Sequence, residues 1–373
     1  MSKAAELAKI GEVATNSQIG GRRNIVINGA MQVAQRATQV TALGAADGYH
    51  TLDRWNMEIG AASAGRFTMD QIADGPSGFA NALKLTTTTA DTSIAAGEFL
   101  KLEQRFEGQD LQQFKKGTSD AEKVTVSFYV KGNATATYTC ELEDVDNTRS
   151  INQAFAVTTD WTRVILTFAA DTSDPLGDDA NNSLQLNIWL HGGATYSGGT
   201  FVSNAWKDIV ENTRMAESHT SIFDSDARTF FITGVQMEVG SVATPFEHRS
   251  NGEELALCQR YFYKSENTDS DYKRYSVMFV ESTVNTRSKY PLPIPMRDHP
   301  ALTKTGTLAI YNSAGGIINL TAISLNPVFT QNAGLGFRDV CIFAVVGSGL
   351  TAGTIGTLLS NNSAASLQFD AEL

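Results

Sequence analysis

Charge is scarce in this sequence, and what there is leans acidic. Of 373 residues, 29 are Lys or Arg and 40 are Asp or Glu, 18% in all, for a net charge of -11. A phosphate backbone is gripped by clustered cations, so this balance excludes nucleic acid as a primary partner. Cysteine is scarce too. Cys140, Cys258 and Cys341 are far apart and odd in number, with no CxxC and no Cys/His cluster. That excludes a disulfide framework or a zinc site and points to reduced thiols, hence folding in a cytoplasm. No apolar run approaches the ~18 residues of a membrane span, and the first residues lack a signal peptide's apolar stretch, so no membrane insertion is expected. The five histidines (His50, His191, His219, His248, His299) form no HExxH, and no GxSxG is present. The glycine-rich segment 347–356 lacks a phosphate loop's Lys-Ser/Thr end. No catalytic set, cofactor or metal site is expected.

What remains is a chain of ordinary apolar content, 42%, with 31 glycines. That composition suits turn-rich β-structure. Residues 123–131 (KVTVSFYVK) place Val124, Val126, Phe128 and Val130 on one face and Tyr129 on the other. Similar period-2 segments at 66–70, 82–86, 99–106, 135–142, 161–168, 183–190 and 230–239 have no long helix between them. Such a series predicts an antiparallel sandwich rather than a βαβ fold. In the last of these, Phe231, Val235, Met237 and Val239 share one parity, and Gln236 and Glu238 the other. Asn251 and Glu254 then read as a capping box for a short helix carrying Leu255, Cys258, Tyr261 and Phe262. Strand patterns resume beyond it, interrupted by four prolines between 291 and 300, which reads as an edge or crossover. Residues 338–346 are apolar on both faces, as in a strand packed within a larger assembly.

The fold expected is therefore all-β: a jelly-roll β-sandwich, a short helix, and a second, smaller β-sandwich domain. The boundaries are an attachment segment at 1–23, the first domain at 24–249, the linking helix at 250–264 and the second domain at 265–373. Trp55, Leu255, Cys258, Tyr261 and Phe262 are read as a structural joint. The corner Glu247-His248-Arg249 is read as a local salt-bridged junction. Adjacent acids such as Glu141/Glu143 and Asp178/Asp179 share a face or a turn, but spacing alone does not build the cleft that a glycosidase pair needs.

Two resemblances add to this reading. NIVINGAM (24–31), LEQRFEG, KVTVSFYVKG, WTRVILTF, LQLNIWL and FFITGVQMEV, in that order, resemble the jelly-roll carbohydrate-binding modules of the xylanase-associated type. That likeness implies a sugar-binding face, for which Trp189 and Tyr129 are the stacking candidates. It also implies a structural calcium site. Here, however, the matching stretches read Ala30-Met31-Gln32 and Thr233-Gly234-Val235, without the expected carboxylates. RRNIVINGAMQVAQR, YHTLDRW and ITGVQMEVGSVATPFEHRSNGEELALCQRYF look like tail-fibre-like structural proteins of tailed bacteriophages. The likeness implies a non-enzymatic virion protein, commonly a homotrimer. Residues 1–23 would be held by other virion proteins, and the β-domains would be displayed to a host surface polysaccharide. A head or neck decoration protein without a receptor, and a glycan-binding or depolymerase module, are the alternatives.

Overall fold

A computed structural model describes residues 3, 22–61, 63–266, 272–325 and 337–373. Apart from Lys3, Arg22 and Arg23, the expected attachment segment lies outside them. The chain divides into two compact units, 1–254 with Leu373, and 255–372.

The first unit contains strands β1 (Gln39–Leu43), β2 (Gly48–Tyr49), β3 (Asn56–Gly60), β4 (Arg66–Ile72), β5 (Ala82–Thr89), β6 (Phe99–Glu107), β7 (Val124–Gly132), β8 (Ala136–Asp144), β9 (Arg149–Val157), β10 (Thr162–Phe168), β11 (Asn182–Gly192), β12 (Lys207–Asp208) and β13 (Thr229–Val239). They form a jelly-roll sandwich of a six-stranded sheet, β1-β4-β5-β13-β7-β10, and a seven-stranded sheet, β12-β9-β8-β11-β6-β3-β2. Pairing is antiparallel throughout, and the two inner faces share one core around Phe67, Phe128, Phe168, Leu186, Ile188 and Phe230. The strand after the Asp146-Asn147 turn, β9, has a weaker alternation (RSINQAFAV) and was not among the periodic segments.

Two departures from the periodic reading matter. Residues 24–36 form no regular strand, but they bond β13, the Ile25 amide donating to the Met237 carbonyl and the Gly29 carbonyl accepting from the Val235 amide. Asn28 and Met31 adopt positive φ (59° and 56°), which stops a ladder there. In β13 the register shifts between Thr233 and Gln236, with Gly234 at φ 61°. This bulge flips the parity. Val235 and Met237 point into the core, as expected. Phe230 and Ile232 now do so upstream, and Phe231 moves to the outer face.

The sequence motifs that resemble phage proteins converge in this unit. The Asn28 side chain accepts from the amides of Gln32 and Val33 and donates to the carbonyls of Val33 and Asp53. Its carbonyl accepts from Trp55 Nε1 at 3.1 Å. Trp55 is thus a core anchor of the first unit. The Arg249 guanidinium donates to the carbonyls of Asn24 and Val26, and pairs with Glu254 at 3.3 Å. Glu247 accepts from the Asn24 amide. The expected junction at 247–249 is therefore a hydrogen-bonded lock on the opening motif.

A four-residue helix, α1 (Ala194–Ser197), lies in the loop after β11, and α2 spans Asn251–Gln259. The box that starts α2 is one residue upstream of the expected one. Ser250 Oγ accepts from the Glu253 amide, and Glu253 accepts from the Ser250 amide at 3.0 Å. Glu254 instead accepts from the Asn28 amide. The division between the units falls inside α2, after Glu254. Cys258, Tyr261 and Phe262 are buried, and Leu255 is half-buried.

The second unit holds β14 (Phe262–Glu266), β15 (Arg274–Val280), β16 (Asn285–Met296), β17 (Ala301–Thr305), β18 (Leu308–Tyr311), β19 (Ile317–Leu325), β20 (Phe337–Val346), β21 (Ile355–Ser360) and β22 (Ser366–Asp370). Six of them close into a barrel, β15-β16-β20-β19-β18-β21, beside a three-stranded sheet, β14-β22-β17. In place of the expected second sandwich, closure removes the free edges. Three prolines lie inside β16, where the ladder to β20 breaks between Pro291 and Met296, because proline brings no N–H.

Candidate functional site

Each sheet of the first unit has one outward face, and the two differ in chemistry. On the seven-stranded sheet the alternate residues of β6, β8 and β11 are charged or amide-bearing, and most are buried. Arg214 arrives from the loop after α1 and bonds Glu141 (Nε–Oε1 2.9 Å) and Glu143. Lys101 lies 3.0 Å from Glu58, 3.5 Å from Glu143 and 3.6 Å from Glu103. Arg105 bonds Glu103 at 2.6 Å. Burial opposes ionisation of Glu141, but Arg214 outweighs it and lowers the pKa. Reciprocally, these carboxylates raise the pKa of Arg214 against its own burial.

Trp189 belongs to this network. Its Nε1 donates to Glu141 Oε2 at 2.9 Å, Arg214 lies 4.8 Å from its ring centre, and Phe99 and Tyr196 pack at 5.6 and 5.3 Å. It is 1% exposed. The expected sugar-stacking role of Trp189 is corrected on this ground, since no pyranose reaches a covered ring. Strand alternation placed it correctly on the polar side, but the loop that covers it comes from 193–221.

Glu58 and Glu103 are the acids that most resemble an acid/base pair. Burial and the hydrogen bond to Glu58 push Glu103 up to about 7. Burial opposes ionisation of Glu58, yet its hydrogen bond with Glu103 and the nearby Lys101 hold it at about 2. Glycosidase carboxyls stand ~5–10 Å apart with substrate between them. Two carboxyls bonded to each other leave no such gap. A second polar line, Ser221 Oγ to His191 Nδ1 at 2.7 Å with Glu98 3.4 Å from His191 Nε2, looks like a hydrolase triad. All three residues are buried, and burial lowers His191 to about 4. Their separation in sequence gave no signal of this line.

The outer face of the six-stranded sheet is different. Register aligns one row across five strands: Gln39 opposite Asp70, Asp70 opposite Lys84, Lys84 opposite Phe231, Phe231 opposite Lys131. Trp161 follows, one residue before the Thr162–Val130 pair. The Lys131 ammonium lies 4.8 Å from the Phe231 ring centre and 5.1 Å from that of Trp161. Asp74 pairs with Lys131 at 2.7 Å, and this bond, more than any other contact, lowers its pKa. The next row holds Thr233, Tyr129 and Arg163, whose guanidinium sits 6.0 Å over Tyr129. Phe79 packs on Tyr129 at 5.4 Å and on Phe246 at 5.0 Å. Trp161, Phe231, Tyr129 and Phe79 are all half-buried. Tyr129 therefore lies on an accessible aromatic face. Its partners Trp161 and Phe231 escaped the sequence reading, Phe231 because the bulge reversed its parity.

Among the described residues no three His, Cys, Asp or Glu side chains converge to hold a metal ion. An ammonium fills one oxygen-lined position. Lys116 Nζ lies 3.1 Å from Asp171 and also contacts Asp144, with the carbonyls of Ser173 and Asp174 at 3.1 and 2.7 Å.

No family model matches the chain, and no curated protein matches its sequence. Several solved structures are similar over somewhat more than half of the chain. A family 4 carbohydrate-binding module is 15% identical, with 57% of this chain and 97% of that one covered and a TM-score of 0.30. The enzymatically active domain of tailspike protein 4 from bacteriophage CBA120 is 12% identical, covering 58% of this chain and 21% of that one, also at 0.30. The CBM22-1 xylan-binding domain of Paenibacillus barcinonensis Xyn10C is 14% identical, covering 57% and 100%, at 0.26. At these scores the likeness carries no argument about ligand or activity, and the sandwich rests on its own strand pairing.

Proposed function

We propose that this chain is a non-enzymatic, tail-fibre-like structural protein of a bacteriophage virion whose first unit binds a host surface glycan. The observation that carries the binding part is the row Lys84–Phe231–Lys131–Trp161 with Tyr129 and Arg163 beside it. Aromatic faces take the C–H faces of pyranose rings, and lysine and arginine bond their hydroxyls and carboxylates. The non-enzymatic part is supported by carboxylates that are pinned by Lys101, Arg105 and Arg214 or bonded to each other. The virion part is supported by the motif resemblance, whose segments meet at Asn28 and Arg249.

Calorimetry with the full chain and purified host polysaccharide tests the binding. Trp161→Ala and Phe231→Ala are each expected to weaken it tenfold or more without loss of fold. A double variant that melts normally and binds like the parent rejects this face. Release of reducing ends from the polysaccharide would make the protein an enzyme and reject the non-enzymatic reading. Absence from purified virions, probed by immunogold labelling, would reject the virion role. One observation favours the alternative of a cementing component without a receptor: Lys84 and Lys131 already lie over the Phe231 ring. The same titration decides between them.

A further inference from the structure

The second unit exposes an apolar patch on the outside of its barrel. Val277, Phe279 and Ile355 are 65%, 55% and 62% exposed, the highest values of any large apolar side chain among the described residues. They are neighbours. Ile355 pairs with Phe279 across β21 and β15, and Phe279 pairs with Arg287 of β16, which pairs with Phe343 of β20. Beside Phe279 runs a groove of about 370 Å³ lined also by Arg287, Lys289, Asp339, Val340 and Cys341. Single exposed apolar residues need no explanation, whereas a contiguous patch does.

We infer that this face is the contact surface for a second copy of the same chain, with Phe279 of one copy entering the groove of the other. Three observations select that occupant. Projection and groove sit side by side on one surface, so two copies offer each other both. The rim carries both signs, Lys289 with Asp339 at 2.7 Å and Arg287 with Glu281 at 2.7 Å. Each copy can therefore present an acid to the other's base, and a partner of one sign gains nothing. Finally, β20 alternates two apolar sets: Val340, Ile342, Ala344 and Val346 fill the barrel, leaving Cys341, Phe343 and Val345 half-buried outside. An outward apolar strand face is what an interface between copies covers. The inference concerns the second unit alone and stands apart from any glycan affinity of the first.

Mass photometry and sedimentation of the full chain test it. The parent is expected to form oligomers at micromolar concentration, and Val277→Asp/Phe279→Glu to shift to monomer by at least tenfold in dissociation constant. Ile165→Asp, at an exposed position of the first unit, should leave assembly unchanged. A monomeric parent overturns the inference, as does a Val277/Phe279 variant that still assembles. Because the variant could fail to fold, a short bis-maleimide gives a second readout. Cys140 and Cys258 are buried and Cys341 is partly exposed, so cross-linking of parent chains should vanish in Cys341→Ser. Oligomers that do not cross-link through Cys341 place the contact elsewhere and overturn the proposal.

Discussion

At the scale of single residues, the outer face of the seven-stranded sheet shows how buried charge is tolerated. A buried carboxylate costs several kcal/mol unless a cation and further hydrogen bonds meet it. Glu141 has Arg214, Asn187 and Trp189. Glu103 has Arg105, Asn56 and Lys101 beside it, but its burial and the neighbouring Glu58 outweigh them. Its folded pKa of about 7 lies above the ordinary 4.5, so the folded state holds the proton more tightly than the unfolded one. Stability is therefore expected to fall as pH rises from about 4.5 to about 7, by at most about 3 kcal/mol. Glu58, at about 2, acts in the opposite sense, and its contribution is lost only as pH falls below 4.5. Thermal melts across pH 5–8 should show the decline, and Glu103→Gln should flatten it; an unchanged slope removes Glu103 as its source. Lys116 makes a second test. Lys116→Met leaves Asp144 and Asp171 facing each other beneath the surface and is expected to cost about 3–5 kcal/mol by chemical denaturation. A loss below about 1 kcal/mol would mean that water or Arg149 takes over.

At the scale of elements, β13 decides the most. Its sequence reads as an uninterrupted alternation from Phe231 to Val239. Gly234 breaks it by taking a φ of 61° that side chains other than glycine rarely adopt. A Cβ there would stand 2.7 Å from the Phe79 ring and 3.1 Å from Tyr129. Gly234→Ala is thus expected to cost about 1–3 kcal/mol through backbone strain and the displaced rings. It should also weaken glycan binding more than its effect on melting explains. Retained affinity in a destabilised Gly234→Ala variant would separate the bulge from the binding face. Period-2 reading located the ends of most strands within one to three residues, because alternation is a local property of chain and core. The bulge was not legible, since one glycine in a strand pattern has several structural outcomes. The cap of α2 was misplaced by one residue for a related reason. Glu253 and Glu254 compete for the same role, and only the distant Asn28 amide shows which is drawn away.

At the scale of the whole molecule, two units are built on different closures, a two-sheet sandwich and a barrel with a small sheet. Both are strand-rich with outward faces to spare, which suits a displayed and assembled protein. The proposals divide between them: a glycan face on the first unit and a self-contact face on the second. Trp161 and Phe279 variants therefore should fail independently. If loss of assembly through Val277→Asp/Phe279→Glu also lowers apparent glycan affinity on a multivalent surface but not in solution, the link is avidity.

The amino-acid sequence by itself determined the strand-rich class, the order of most strands, the polar side on which Trp189 lies and the structural nature of the Glu247–Arg249 corner. These follow from alternation, turn residues and residue chemistry, all readable within a short window. Only the tertiary structure decided which outward side chains stay accessible. Trp189 is closed over by a loop that follows it, and Phe231 is turned outward by a bulge three residues away. The second unit's strands meet as a barrel because pairing partners 46 to 85 residues apart find each other. Access, parity after a bulge and sheet closure are set by contacts between distant segments, which no local pattern encodes.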